Sequence, residues 1–361
     1  MRPRLPFRCV EPTFFSGLLD DPVLYLFIRP LGKGFLFDCG QIHHLAKRVL
    51  KSVDALFISH AHMDHFMGID TFIRNNHVSP RTIDIFGPPG IAGKTAFKLA
   101  GYDWNLSEPY WCSLRVHEVC PDRTATYFLP GAEGFPCRLT GEEPRPDRII
   151  YGNDFVKVEA ELCEHKIPSL IFRITERPSF GVDETKLQQA GLVRGNWLRS
   201  LKKRFYGGMP DREPLTVLRR RDEKIGEEVV GDARVLYENI RREEAPAGIG
   251  YLTDIGFNDE NLAKVLPLMQ GVALLVSECS FLAQDREKAR VSRHLCTTDL
   301  NYIMDKLRPP FVLPMHLSKS YSDRSRLVYE ELEPPPGVTL LRLPDHVAPR
   351  PLLAAEVPHL M

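Results

Sequence analysis

The segment Ser59-His60-Ala61-His62-Met63-Asp64-His65 places three imidazoles and a carboxylate within six residues. Neutral imidazole and carboxylate are the usual ligands of Zn²⁺ and similar divalent ions. A lone histidine is more often a surface or satisfied core residue. Four such groups packed onto one loop would repel one another or stay solvated unless a cation organises them, so the chemistry expected here is that of a metal centre. Six residues cannot saturate two ions, and further ligands must come from elsewhere in the chain. His165 follows an alternating run over 155–162, Asp254 follows the run 249–253, and His316 follows the run 311–315. Each is a polar residue at the exit of an apolar stretch, where it can reach a shared site.

The elements that must position these groups read as mixed α and β. Runs 23–28, 34–38 and 55–58 are β-rich and apolar, with a helical face over 42–51 between the last two and a helix start near 68–73. The run 83–86 ends in Gly87-Pro88-Pro89-Gly90, and a helix is expected over 92–100. Later strands are expected at 155–162, 170–174, 274–276 and 311–315, with a helix over 300–307. Alternating strands and helices predict an α/β layered fold.

The chain has 361 residues, 47 Lys+Arg against 47 Asp+Glu, a hydrophobic fraction of 43% and a charged fraction of 26%. These values exclude a wholly disordered chain and a globally basic nucleic-acid binder, and the length suffices for a sizeable core. No stretch approaches the roughly 18 apolar residues of a membrane span. The eight cysteines include no CxxC pair, and residues 1–15 lack an apolar leader. Reduced cysteines and a cytoplasmic location are expected.

One segment departs from this neutrality. Between Arg194 and Arg221 lie nine basic residues (Arg194, Arg199, Lys202, Lys203, Arg204, Arg212, Arg219, Arg220 and Arg221) against only Asp211 and Glu213. Gly207-Gly208 and Pro210 interrupt it. A solvated helix face and loop is the ordinary reading of such a run.

With these residues assembled, the chain resembles the metallo-β-lactamase-fold hydrolases. The motif His60-x-His62-x-Asp64-His65 is that superfamily's signature, preceded by Phe37-Asp38-Cys39-Gly40 at the usual Asp-x-Gly strand end. Within the superfamily it is most similar to ribonuclease Z, the tRNA 3′-processing endonuclease. Phe86-Gly87-Pro88-Pro89-Gly90, Glu164-His165-Lys166-Ile167-Pro168-Ser169, Ser277-Glu278-Cys279-Ser280-Phe281, His294-Leu295-Cys296-Thr297-Thr298 and Met315-His316-Leu317-Ser318 carry that likeness, in order, from about residue 36 to 321.

The resemblance implies a four-layer αβ/βα sandwich, one domain over 1–361 with an inserted basic arm over 177–248. It implies two divalent ions, Zn²⁺ first and Mn²⁺ or others also suited. One would be held by His60, His62 and His165, the other by Asp64, His65 and His316, with Asp254 bridging. Two bridged ions activate a water and stabilise charge on a phosphorane. Asp64 would also orient the nucleophile. His294, held by Glu278, would be the general acid. The expected activity is a phosphodiesterase cutting precursor tRNA at the 3′ side, with Arg194, Arg199, Lys202, Lys203 and Arg204 as candidate RNA contacts. The family precedent is a homodimer in which one subunit's arm serves the other.

The pattern also departs from the family. Phe14-Phe15-Ser16-Gly17 replaces a Gly-rich opening turn, Ile171-Phe172 stands where Gly-Tyr is usual, and Thr253-Asp254-Ile255 replaces Gly-Asp-Thr. The arm has no Gly-Pro knuckle. The ligand residues are untouched, and the differences fall on the substrate side. The competing expectation is a small-molecule hydrolase on the same scaffold (a cyclic-nucleotide phosphodiesterase, lactonase or arylsulfatase), for which a long cationic arm has no use.

Overall fold

The computed structural model describes residues 5–178, 180–207, 213–222, 224–243 and 246–348. Two compact units result. The larger comprises Met1–Gly152, Val156–Glu176 and Ala247–Met361, and the smaller comprises Asn153–Phe155 and Arg177–Pro246.

The larger unit is built on two sheets. The first runs, in spatial and chain order, through Val10–Phe14, Leu24–Ile28, Lys33–Phe37, Val53–Phe57, Thr82–Gly87, Ser113–Val119, Arg123–Pro130 and Arg138–Pro144. The second is ordered Thr339–Leu340, Phe311–Met315, Leu274–Glu278, Gly248–Leu252, Ile167–Glu176, Val156–His165 and Ile149–Gly152. Strand periodicity explains the layering. Phe35, Phe37, Phe57, Phe86, Phe172 and Tyr251 point into the space between the sheets, with Phe37 stacked on Phe57 at 4.7 Å and Phe57 on Phe86 at 5.0 Å. The alternate residues Leu36, Leu56, Ile83 and Ile85 face outward and cluster with Phe72, Ile73, Ile91 and Leu99 of the helices Ile69–Asn76 and Ile91–Leu99. On the other side Leu252, Leu275 and Val312 cluster with Val265 and Leu268 of Asp259–Met269 and with Leu300 and Ile303 of Thr297–Leu307. The order helix, sheet, sheet, helix is the expected αβ/βα sandwich.

Some expected elements change. The helix expected over 42–51 forms only at Lys47–Ser52. Ile42 and Leu45 are buried from a turn instead, closed by Leu45 N donating to Ile42 O, and His44 Nε2 lies 2.8 Å from Phe15 O. The strand expected over 155–162 continues to His165, and the one at 274–276 continues to Glu278. Four strands between 113 and 152 had no sequence expectation. Arg138–Pro144 is exposed along its whole length, so it carries no apolar alternation to read.

The smaller unit has its own core. An antiparallel sheet of Leu192–Val193, Leu215–Arg221 and Lys224–Val230 is accompanied by helices Glu184–Gln189, Trp197–Tyr206 and Ala233–Ile240. Leu187, Trp197, Leu201, Val217, Tyr237 and Ile240 pack together within it. The charge run read as helix face and loop therefore covers both a helix and a strand. Gly208, Pro210, Asp211 and Arg212 lie outside the described residues.

Candidate metal centre

The histidine segment leaves the buried end of Val53–Phe57 and turns into the short helix Met63–Phe66. The bend returns His60 and His65 to the interior, both fully buried. From the second sheet, His165 is the last residue of Val156–His165, at a hairpin whose single turn residue, Lys166, has φ +57°. Asp254 lies two residues beyond Gly248–Leu252, and His316 immediately follows Phe311–Met315 with φ +59°. Parallel pairing of Gly248–Leu252, Leu274–Glu278 and Phe311–Met315 brings their C-terminal ends to one edge.

Asp254 sits in the middle of the group. Its Oδ2 lies 3.6 Å from His60 Nε2, 3.2 Å from His65 Nε2 and 3.7 Å from His165 Nε2, while its Oδ1 lies 2.9 Å from His316 Nδ1. His60 Nε2 and His62 Nδ1 are 2.9 Å apart. Asp64 Oδ2 lies 3.1 Å from His316 Nε2 and 3.8 Å from His65 Nε2. Two donor sets follow, His60, His62, His165 and Asp254 on one side and Asp64, His65 and His316 on the other, each with ligand atoms within 4.8 Å of one another. All seven residues expected at the site are thus brought together.

The donor set fits a divalent cation on a specific atom. His65 Nε2 is buried and has no hydrogen-bond partner. Its Nδ1 lies 2.9 Å from Asp38 Oδ2, and a carboxylate oxygen accepts, so Nδ1 carries the proton and Nε2 presents a lone pair. A buried lone pair facing two carboxylates is costly without a cation or proton between them. The protonation tendencies agree. Burial opposes charge on His65, but Asp254 and Asp38 hold its pKa well above the usual value. Burial also opposes charge on His316, and Asp254 outweighs it, pushing the pKa up to about 10. Burial, reinforced by His65, pushes His60 down, which keeps that ring neutral and able to donate its lone pair. Burial works to raise the Asp254 pKa, but His316 and His65 hold it well below the usual carboxylate range.

A second group adjoins this one. His294 Nδ1 lies 3.0 Å from Glu278 Oε2, and Glu278 is fixed by Ser280 Oγ at 2.7 Å and by Ile255 N donating to its Oε1 at 2.9 Å. Burial lowers the His294 pKa, and the Glu278 carboxylate more than restores it, leaving it raised. Asp254, Glu278, His294 and His316 form a further cluster of potential ligands.

Sequence reading gave no role to several supports. Asp38, at φ +54° and fully buried, accepts from Ser59 N, Ser59 Oγ, Tyr251 OH and His65. Arg293, at φ +62°, presents its carbonyl 2.5 Å from His165 Nδ1. Non-glycine residues in this region cost about 1–3 kcal/mol each and cluster at functional sites. The Asp38-x-Gly40 strand end was the one available signal.

The candidate RNA contacts in the smaller unit separate by partner. Arg194 pairs with Glu184, and Arg204 donates to the Glu213 and Pro214 carbonyls. Arg199, Lys202 and Lys203 are exposed along one face of Trp197–Tyr206, without a carboxylate partner among the described residues.

Residues 35–152 match the family model described as Beta-lactamase superfamily domain. The human short-form tRNase Z structure, 15% identical, superposes with a TM-score of 0.52, covering 92% of this chain and 96% of that one. A metallo-β-lactamase-fold protein from Bacillus subtilis, 13% identical, gives 0.51 over 92% and 95%. The chain is a divergent metallo-β-lactamase-fold hydrolase. In sequence, this hydrolase is similar to the ribonuclease Z of Deinococcus radiodurans, at 29% identity over 302 residues, 81% of this chain and 85% of the relative. Use of divalent metal follows from that fold and from the donor set at its sheet edge.

Proposed function

We propose that this hydrolase is a ribonuclease Z-like endonuclease that cuts precursor tRNA on the 3′ side. The observation that carries it is the convergence of His60, His62, His165, Asp64, His65 and His316 on Asp254 beside the His294–Glu278 pair. Similarity to ribonuclease Z over most of the chain supports the substrate.

Two divalent ions, Zn²⁺ first, would be held by His60, His62 and His165 and by Asp64, His65 and His316, with Asp254 between them. When bound, they supply Lewis acidity and a lowered water pKa. The remaining work falls to the chain. Asp64 presents a carboxylate at the cleft side of the site, where it accepts a proton from the attacking water and orients it. Glu278 fixes the His294 Nδ1 proton, so His294 delivers the second proton, on Nε2, to the leaving 3′ oxygen. Arg199, Lys202 and Lys203 offer RNA phosphates cations that no described carboxylate holds. Arg194 and Arg204 join them only by exchanging their present partners.

The eight cysteines are unpaired and seven are buried, which supports a reducing compartment, the cytoplasm. No helix among the described residues is long and apolar enough to cross a membrane. We extend the proposal to a homodimer, in which one copy's arm serves its partner.

The deciding experiment sets a precursor tRNA beside bis(p-nitrophenyl) phosphate, with bound metal measured. Cleavage of the precursor at its 3′ side is expected. Turnover of the small diester without any RNA cleavage overturns the proposal in favour of a small-molecule hydrolase.

A further inference from the structure

A cavity of about 250 Å³ opens beside the candidate metal centre, with Asp64, His294 and His316 on one wall. Asp20, Asp21 and Lys319 line it as well. Lys319 is the one lysine or arginine among the described residues that line it.

The backbone on either side of Lys319 is hydrogen-bonded. Leu317 N donates to Leu18 O at 2.8 Å, Ser318 N to Ser280 O at 3.0 Å, and Tyr321 N to Ser318 O at 2.9 Å. The side chain is free by comparison, 76% exposed, with its ammonium 3.3 Å from Asp21 Oδ1. The neighbouring Asp20 carboxylate is committed elsewhere. It accepts from Gly17 N, His346 Nδ1, Val347 N and Ala348 N. Asp21 is therefore the single acidic partner of Lys319 among the described residues, and an ion pair this near solvent is weak and easily exchanged.

A polyanion entering this cavity meets Asp21, a carboxylate outside every donor set of the candidate metal centre. Without a cation on the wall, like charges would disfavour it. We infer that Lys319 is a substrate-binding residue that leaves Asp21 to take the RNA phosphate neighbouring the scissile one. The inference rests on the nuclease reading above and adds a contact at the catalytic cleft, separate from the cations of the smaller unit. A lysine suits the task because its compact charge on a four-carbon stem turns without disturbing the fixed backbone.

The test is steady-state cleavage of a precursor tRNA by wild type, Lys319→Ala and Lys319→Arg at several salt concentrations, with metal content and melting temperature measured on each. Lys319→Ala should raise KM about tenfold, the scale of one charge-assisted hydrogen bond, with kcat and metal content held. Its dependence of log(1/KM) on log salt should be shallower by about one unit. Lys319→Arg should recover most of the loss, which a packing role would not allow. An unchanged KM in Lys319→Ala, or no recovery in Lys319→Arg, overturns the inference while leaving the nuclease reading intact. Wild-type protein that cleaves no RNA overturns that reading and the inference together.

Discussion

His65 Nδ1 lies 2.9 Å from Asp38 Oδ2, and this contact fixes which ring nitrogen faces Asp254 and Asp64. Asp38 is not itself at ligand distance in either donor set. It acts on the centre by orienting a histidine that is. Ser59 and Tyr251 hold the same carboxylate, so the first sheet, the histidine loop and the second sheet meet on one side chain.

Asp38→Asn should therefore weaken metal binding while the fold survives. Loss of such an outer partner typically costs 10–100-fold in affinity. Competition with a chromophoric chelator measures it, and wild-type affinity in the variant would remove Asp38 from this role.

Bound metal should approach two divalent ions per chain, and Asp254→Ala should lose most of it, because Asp254 lies within 3.7 Å of four histidines. Elemental analysis of purified protein, before and after dialysis against a chelator, reads the result. Well-folded wild-type protein without divalent metal contradicts the assignment.

His294→Ala should lower turnover by about 10²–10⁴-fold with metal content unchanged, the usual range for a general acid. The pH profile gives a sharper sign. Burial lowers the His294 pKa and Glu278 raises it above the ordinary value. A proton donor is active below its pKa, so kcat should fall as pH rises through that raised value. Glu278→Gln should move this alkaline limb to lower pH, and an unmoved limb would separate Glu278 from proton transfer.

Charge reversal of Arg199, Lys202 and Lys203 to Glu should raise KM for precursor tRNA by more than about tenfold. It should also flatten the salt dependence by up to about 0.9 for each phosphate no longer neutralised. Hydrolysis of bis(p-nitrophenyl) phosphate serves as the comparison and should hold. An equal loss on both substrates would place the effect in folding rather than RNA binding.

Asp20 anchors the C-terminal stretch by accepting from His346, Val347 and Ala348. Burial alone would raise its pKa, but these bonds and that from Gly17 leave it lowered. A carboxyl depressed in the fold stabilises above its unfolded value, about 3.9, and loses that contribution as pH falls through the lower folded value. Asp20→Asn should reduce the melting temperature near neutral pH by about 1–2 °C, the shift expected for about 1 kcal/mol in a chain of 361 residues. The difference from wild type should shrink in acid; thermal scans across that range provide the check.

The sequence by itself pointed to the candidate donors and to the layers. His60, His62, Asp64 and His65 lie so close in the chain that only a cation reconciles them, and each distant ligand stands at the exit of an apolar run. The alternation of β-rich apolar runs with helical stretches predicted an α/β layered fold. These are local properties, set by spacing along the backbone. What surrounds the donors was not local. Asp38 meets His65 from 27 positions away, and the Arg293 carbonyl reaches His165 from 128. The left-handed backbone at Asp38, Arg293 and His316 has no sequence signature in residues other than glycine. The run of nine cations looked uniform in the chain, yet folding paired Arg194 with Glu184 and turned Arg204 toward carbonyls. Arg199, Lys202 and Lys203 were left without a carboxylate among the described residues. Composition counts charges, but only the tertiary structure decides which of them already have partners.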